Sequence, residues 1–255
     1  MVNETKVLAI IPARGGSKSI PRKNIRDFSG YPLIAYSISA GLTAETISRV
    51  IVSTDDEEIA AISRDYGAEV PFIRPKEFSR DDTPDLPVFQ HALHWLKSKE
   101  GYQSEIIVQL RPTSPLRKTE HINQAVWRLM EHPEADSIRT VCTPFQNPYK
   151  MWRIDANGFM QPIIASDLTE PYNSPRQALP DVYWQTGYVD AAWADTILTK
   201  KSMTGDRILP LIIGAEEWID IDSPDDWRRA ERLLESGEIN LGDLGFEIAK
   251  NFGSS

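Results

Sequence analysis

Strand-length apolar runs alternate with polar segments of helical period along the first half of the chain. Val7-Leu8-Ala9-Ile10-Ile11 is uninterrupted until Pro12, and residues 50–53, 70–73, 106–110 and 137–141 repeat the pattern. Between these runs, Leu33, Ile34 and Ile38 fall at helical spacing behind Pro32. Thr54-Asp55-Asp56-Glu57-Glu58 supplies N-cap and first-turn residues, and Val88, Phe89, Ala92, Leu93 and Leu96 form a third helical stripe. A further helix is expected from Thr119. Strands covered on both faces read as continuous apolar runs rather than as polar/apolar alternation. The expected fold is therefore α/β, with three layers: a mostly parallel sheet and helices on both faces. Ligands of such sheets sit beyond the strand C-termini.

Residues 144–180 break the rhythm. Prolines and aromatics dominate there, among them Phe145, Tyr149, Trp152, Phe159 and Tyr172, as in an inserted lid or dimerisation arm. Strand patterns return at 182–193 and 208–213. Trp218-Ile219-Asp220-Ile221-Asp222 then alternates as a strand, and Ser223-Pro224-Asp225-Asp226 opens a helix with a serine cap, proline at the first position and first-turn carboxylates. Leu241, Leu244, Phe246 and Ile248 suggest a last short helix. Residues 1–255 are read as one domain with the segment 144–180 inserted.

Composition narrows the partners. The net charge is −9 and the pI about 5.0, which disfavours a general nucleic-acid or anionic-membrane binder but permits a local basic pocket. Cys142 is the only cysteine, so an internal disulfide and a four-cysteine zinc site are excluded, and it reads as a buried strand residue. His91 and His94 lack the partners of a metal site. No apolar run reaches membrane-spanning length and no secretory leader is visible, so a cytoplasmic location is expected.

Against this acidic background the stretch after the first strand stands out. Arg14, Lys18, Arg22, Lys23 and Arg26 place five cations in thirteen residues around Gly15-Gly16-Ser17. Glycines open a loop to close phosphate approach, and the cations supply charge for a triphosphate. Neither a P-loop nor a dinucleotide fingerprint is present, and a solvated basic loop would have the same spacing. Asp220 and Asp222, two apart on a strand, share a face, which suits Mg²⁺ as well as it suits a solvated edge.

The run Ile11-Pro12-Ala13-Arg14-Gly15-Gly16-Ser17-Lys18, continued by Ile20-Pro21-Arg22-Lys23-Asn24, resembles the signature of the CMP-sialic acid synthetases (acylneuraminate cytidylyltransferases). Gln109-Leu110-Arg111-Pro112-Thr113-Ser114-Pro115-Leu116-Arg117 resembles their Gln-Pro-Thr-Ser-Pro-Leu-Arg turn, and Ile219-Asp220-Ile221-Asp222 their metal-binding pair. The resemblance implies a Rossmann-like nucleotidyltransferase fold and transfer of CMP from CTP to the anomeric hydroxyl of a nonulosonic acid, with release of pyrophosphate. It implies Arg14, Lys18 and Lys23 as catalytic cations and Mg²⁺ on Asp220 and Asp222. Ala13, Gly15, Gly16, Ser17, Asn24, Arg74, Asp85, Gln109 and Arg111 would contact the nucleotide. Thr113, Ser114, Lys150, Arg176, Gln185 and Thr186 would contact the acidic sugar. A homodimer is expected.

The clearest departure is Tyr183-Trp184-Gln185-Thr186-Gly187-Tyr188-Val189-Asp190, where the family carries an Arg-Pro-Asn-Gly-like run. This leaves open another base, another acidic sugar such as 3-deoxy-octulosonate, a sugar phosphate, or a non-catalytic nucleotide-sugar-binding protein.

Overall fold

The computed structural model describes residues 5–246; Ile248 lies outside them. Six strands form one sheet: β1 (Val7–Pro12), β2 (Arg49–Ser53), β3 (Ile106–Gln109), β4 (Ser137–Cys142), β5 (Trp184–Trp193) and β6 (Ile208–Ile212), in the order β6-β4-β5-β3-β1-β2. β1 pairs parallel with β2 and β3, and β6 with β4. Only β5 runs antiparallel, wedged between β3 and β4. The mostly parallel three-layer expectation is thus the observed architecture.

Alternation across β1 shows why both faces need helices. Val7, Ala9 and Ile11 join one core, with α1 (Leu33–Thr43), α2 (Glu57–Asp65) and α4 (Thr119–Glu131). Leu8 and Ile10 join the other, with α3 (Asp85–Glu100) and α5 (Ala194–Leu198). On α4, Ile122, Val126 and Leu129 are fully buried at helical spacing, each contributing about 1.5–3 kcal/mol of transfer free energy. A third cluster gathers Phe28, Tyr36, Ile219, Ile221 and Trp227, and so staples the C-terminal segment to the loop after β1. The last helix, α6 (Pro224–Glu235), starts with the expected serine cap as a reciprocal capping box between Ser223 and Asp226.

Two expected strands do not form ladders. Residues 70–73 contribute only an isolated bridge, Thr54 to Ile73, because Pro71 has no N–H to donate. Residues 218–222 form no ladder; their backbone tie to the sheet region is one bond, from the Ile221 N–H to the Thr113 carbonyl at 2.8 Å, and the Trp218 indole N–H adds a side-chain bond to Cys142 Sγ on β4. Segment 144–180 carries a short ribbon, Trp152–Ile154 against Met160–Pro162, and three 3₁₀ turns. No helix among the described residues is long and apolar enough to cross a membrane.

Arg117 ends the Pro-Thr-Ser-Pro turn and is fully buried. Its guanidinium donates to the Tyr188 carbonyl, to Ser37 Oγ at 2.9 Å and to the Arg111 carbonyl at 2.8 Å. Burial drives its pKa down to about 10. Arg117→Met leaves the Tyr188 carbonyl without this donor, keeps the Ser37 Oγ bond to the Arg111 carbonyl at 3.0 Å, and is expected to cost on the order of 3 kcal/mol in urea unfolding. A loss below about 0.5 kcal/mol, the range of a neutral surface change, would show that the turn does not depend on it.

Candidate active site

A cavity of about 430 Å³ opens at the C-terminal ends of β1 and β3. Arg14, Ser17, Lys18, Lys23 and Asn24 line it from the first loop, Arg74, Asp81 and Asp85 from the approach to α3, and Arg111, Thr113 and Asp222 from the later turns.

The first loop does not use its glycines as its composition suggests. Neither Gly15 nor Gly16 has positive φ; the left-handed residue is Arg22, at φ 55°. Gly15 must lack a side chain because a Cβ would lie 2.6 Å from Asp56 Oδ2, while its N–H donates to Asp55 Oδ1 at 3.0 Å. Ala13 is buried, continuing β1 through a bond to the Ser53 carbonyl. Asn24 Nδ2 donates to the Arg14 carbonyl at 2.9 Å and closes the loop.

Its five cations divide into two groups. Arg22 is spent on Asp56, at 2.5 Å, and Glu58, and Arg26 lies over the Trp227 ring at 5.2 Å. Arg14, Lys18 and Lys23 face the cavity. Lys23 is the most enclosed: its Nζ donates to the Ile221 carbonyl at 2.7 Å and lies 3.4 Å from Asp222 Oδ1. The cationic loop and Asp222 of the C-terminal acidic pair therefore meet in one cavity, with Asp220 behind its lining.

Asp220 and Asp222 keep the expected same-face alternation without a ladder, since the intervening Ile219 and Ile221 are buried in the third cluster. Asp222 is exposed; Asp220 is half-buried and bonded to Thr113, yet its Oδ1 is buried without a partner. Burial, then the neighbouring Asp222 charge, raises the Asp220 pKa despite Thr113, Lys23 and Arg111. An orphaned carboxylate oxygen beside a second, exposed carboxylate is a donor set that fits a hard cation. Among the described residues no cluster of three or more His, Cys, Asp or Glu converges. A cation held here therefore takes its other ligands from water and phosphate, as Mg²⁺ commonly does.

The nucleotide-side residues form a tighter network than their spacing reveals. Arg74 is buried and donates to Ser79 Oγ at 3.1 Å, and burial lowers its pKa. Asp85 does not cap α3. Its Oδ2 accepts from Gln109 Nε2 at 2.9 Å and from Arg111 at 2.7 Å. Arg111 reaches on to Asp190 at 3.2 Å, which Arg139 also approaches at 3.4 Å. Burial works against the charge of Arg111, but Asp85 and Asp190 outweigh it and its pKa is raised. Gly187, at φ +66°, sits where any Cβ would meet Arg111 Nη1 at 2.7 Å. The departures at Arg111, Gly187 and Asp190 are one feature: the bend in β5 makes room for the guanidinium and Asp190 anchors it.

Several expected sugar contacts are not brought to this cavity. Thr186 is buried in the sheet, donating to the Thr140 carbonyl at 3.1 Å. Gln185 pairs with Val141 at the β4–β5 edge. Arg176 donates to the Pro144 and Phe145 carbonyls, tying down the inserted segment, and Lys150 ends a 3₁₀ turn there. Ser114 is buried with an unpartnered Oγ, and Gln109 lies beneath the cavity floor. His91 packs against Phe72 and Phe78, a core role.

The spacing gave no sign of how Asp81 is used. It bridges Arg14, at 2.7 Å, and Lys18, and these cations hold its carboxyl below the usual range.

A doubly wound sheet with a cationic first loop facing a carboxylate pair defines a nucleotidyltransferase. The family model described as cytidylyltransferase matches residues 8–156, and the chain belongs to the cytidylyltransferase family. Its similarity to a CMP-N,N'-diacetyllegionaminic acid synthase of Legionella pneumophila is 33% identity over 238 residues, covering 92% of this chain and 99% of that protein. A pseudaminic acid cytidylyltransferase of Campylobacter jejuni is 42% identical over 127 residues, half of this chain and 54% of its own length. A solved CMP:2-keto-3-deoxy-manno-octonic acid synthetase complexed with CTP shares the fold, with a TM-score of 0.68 at 16% identity over 92% of this chain and all of that one.

A triphosphate that uses Arg14 and Lys18 has to displace the Asp81 carboxylate. Exposed ion pairs contribute about 0.2–1 kcal/mol each, and Asp81 makes two, so Asp81→Asn is expected to tighten CTP binding roughly two- to thirty-fold by isothermal titration. Weaker binding would show instead that Asp81 orients the two cations.

Proposed function

We propose that this protein transfers CMP from CTP to the anomeric hydroxyl of a nonulosonic acid and releases pyrophosphate. The observation that carries the reading is the meeting of Lys23 with Ile221 and Asp222, at 2.7 and 3.4 Å, which sets the phosphate cations beside the carboxylate pair. Its relatives, named for CMP-nonulosonic acid synthesis over nearly full length, support the acceptor class.

Arg14, Lys18 and Lys23 bind the triphosphate and stabilise charge on the departing pyrophosphate. Asp220 and Asp222 hold Mg²⁺, which neutralises phosphate charge when bound. The acceptor oxygen bonds to the α-phosphorus as the bond to pyrophosphate breaks, and the hydroxyl proton is lost. Catalysis rests on positioning and electrostatics, with no covalent enzyme intermediate. Arg74 and Asp85 flank the base. With Asp85 Oδ2 committed to Gln109 and Arg111, its other oxygen is left to accept from the cytosine amino group, which uracil lacks.

The inserted segment exposes Ile154, Phe159, Met160 and Ile163 on its ribbon, an apolar patch suited to a second copy, and we read the protein as a homodimer. A cytosolic nucleotide substrate supports a cytoplasmic location.

The test is a pyrophosphate-release panel of CTP and UTP against a nonulosonic acid, an octulosonic acid and a sugar phosphate, with and without Mg²⁺. Release is expected only with CTP, Mg²⁺ and the nonulosonic acid. Lys23→Ala is expected to lower kcat about 10²–10³-fold, the effect of removing one preorganised transition-state donor. Saturable CTP binding with no release from any acceptor would overturn the enzyme reading.

A further inference from the structure

Asp190 lies on β5, the antiparallel strand of the main sheet, directly between Gln109 on β3 and Arg139 on β4. Residues opposite each other in a ladder point to the same face, so these three form a polar row across the sheet. The row is set into an apolar layer, since Ile107 and Ala192, two places along on β3 and β5, pack into the α3 core. Asp190 and Gln109 are each more than nine-tenths buried. Burying charge there is a cost that apolar side chains would avoid. The row's side-chain bonds lead out of the core to one place, Asp85 in the nucleotide cavity.

Two routes reach it. Asp190 Oδ2 accepts from Arg111 at 3.2 Å, and the same guanidinium donates to Asp85 Oδ2 at 2.7 Å. Gln109 Nε2 donates to that same oxygen at 2.9 Å, which turns Gln109 Oε1 away from Asp85. Gln109 Oε1 and Asp190 Oδ1 are then buried acceptors without a donor. Both residues line a small cavity of about 10 Å³, closed otherwise by apolar side chains such as Phe89, Ile197 and Met203. Two acceptors cannot bond each other, but a water between them can donate to both. Roughly 10–15 Å³ is room enough for one. A donor at that point also fixes the amide: turned over, Gln109 would set its carbonyl against the Asp85 carboxylate.

Resting on the transferase reading above, we propose that Asp190 is a positioning residue for base selection, acting with one buried water that bridges its Oδ1 to Gln109 Oε1. Asp190 holds Arg111, the water holds the Gln109 amide, and both donors converge on a single oxygen of Asp85. The other Asp85 oxygen is thereby kept for the amino group of cytosine. A carbonyl at the same ring position, as in uracil, meets an acceptor instead of a donor.

The test uses the full chain. Isothermal titration with Mg²⁺ and no acceptor sugar gives the ratio of CTP to UTP affinity, and pyrophosphate release with a nonulosonic acid reports turnover. Wild type is expected to prefer CTP. Asp190→Ser leaves room for water but cannot span to Arg111. It should lower the preference about 10-fold or more, the size of losing one hydrogen bond to a charged group. The loss should fall on CTP, whereas a merely structural role would weaken both nucleotides together. Asp190→Asn keeps a carbonyl toward Arg111 and an N–H donor toward the water, and should restore most of the preference. A wild-type crystal structure, which needs no variant to fold, should show one ordered water bonded to Asp190 and Gln109. Equal wild-type affinities, an unchanged ratio in Asp190→Ser, an equal loss for both nucleotides, or a different group at the water position would each overturn the proposal. If turnover persists in that case, the transferase reading stands without it. If the ratios shift as expected but no acceptor yields pyrophosphate, the positioning role stands and the transferase reading falls.

Discussion

The ammonium of Lys23 joins the two ends of the chain. It sits almost out of solvent, and a buried cation is tolerated only where oxygens replace its water. Those oxygens come from the Ile221 carbonyl and the Asp222 carboxylate, 198 and 199 residues away. To reach them the first loop turns through a left-handed Arg22, held by Asp56 and Glu58, and closes with Asn24 on the Arg14 carbonyl. The third apolar cluster brings Ile219 and Ile221 up from the other side. Without this contact the cations and the acidic pair would belong to separate surfaces.

The same economy of charge runs through the rest of the site. Cations near the cavity either hold the surrounding loops in place or present charge to the cavity itself. Arg22 and Arg26 shape the loop, whereas Arg14, Lys18 and Lys23 present charge. Arg111 belongs to the first kind despite lining the cavity, because Asp85 and Asp190 clamp it from two sides. It is better understood as a rigid floor that orients Asp85 than as a free phosphate ligand. Asp81 is the exposed exception, a carboxylate resting on two of the presenting cations.

The layers, the parallel order and most helices were legible because strand runs and helical stripes carry their own periods. The antiparallel entry of β5 was not, since strand direction is a property of pairing rather than of the residues in one strand. The 218–222 segment kept its two-residue period, so the facing of Asp220 and Asp222 was correct although no ladder forms. The cavity-lining positions in the first loop and at Thr113 were readable from residue order. Lys150, Arg176, Gln185 and Thr186 were not brought to the cavity: the first two lie on the inserted segment, and the β5 bend turns Thr186 into the sheet. The pairing of Arg111 with Asp190 spans 79 residues, and no local pattern encodes such a contact.

The central claim is that the first loop and the C-terminal carboxylates act on one shared metal–triphosphate. A double-mutant cycle on kcat/KM for CTP, with Lys23→Ala and Asp220→Asn, tests this directly. Groups acting on a shared ligand couple, so the double variant should deviate from additivity by about 1 kcal/mol or more. Losses that add within about 0.5 kcal/mol would contradict the account, because independent sites behave that way.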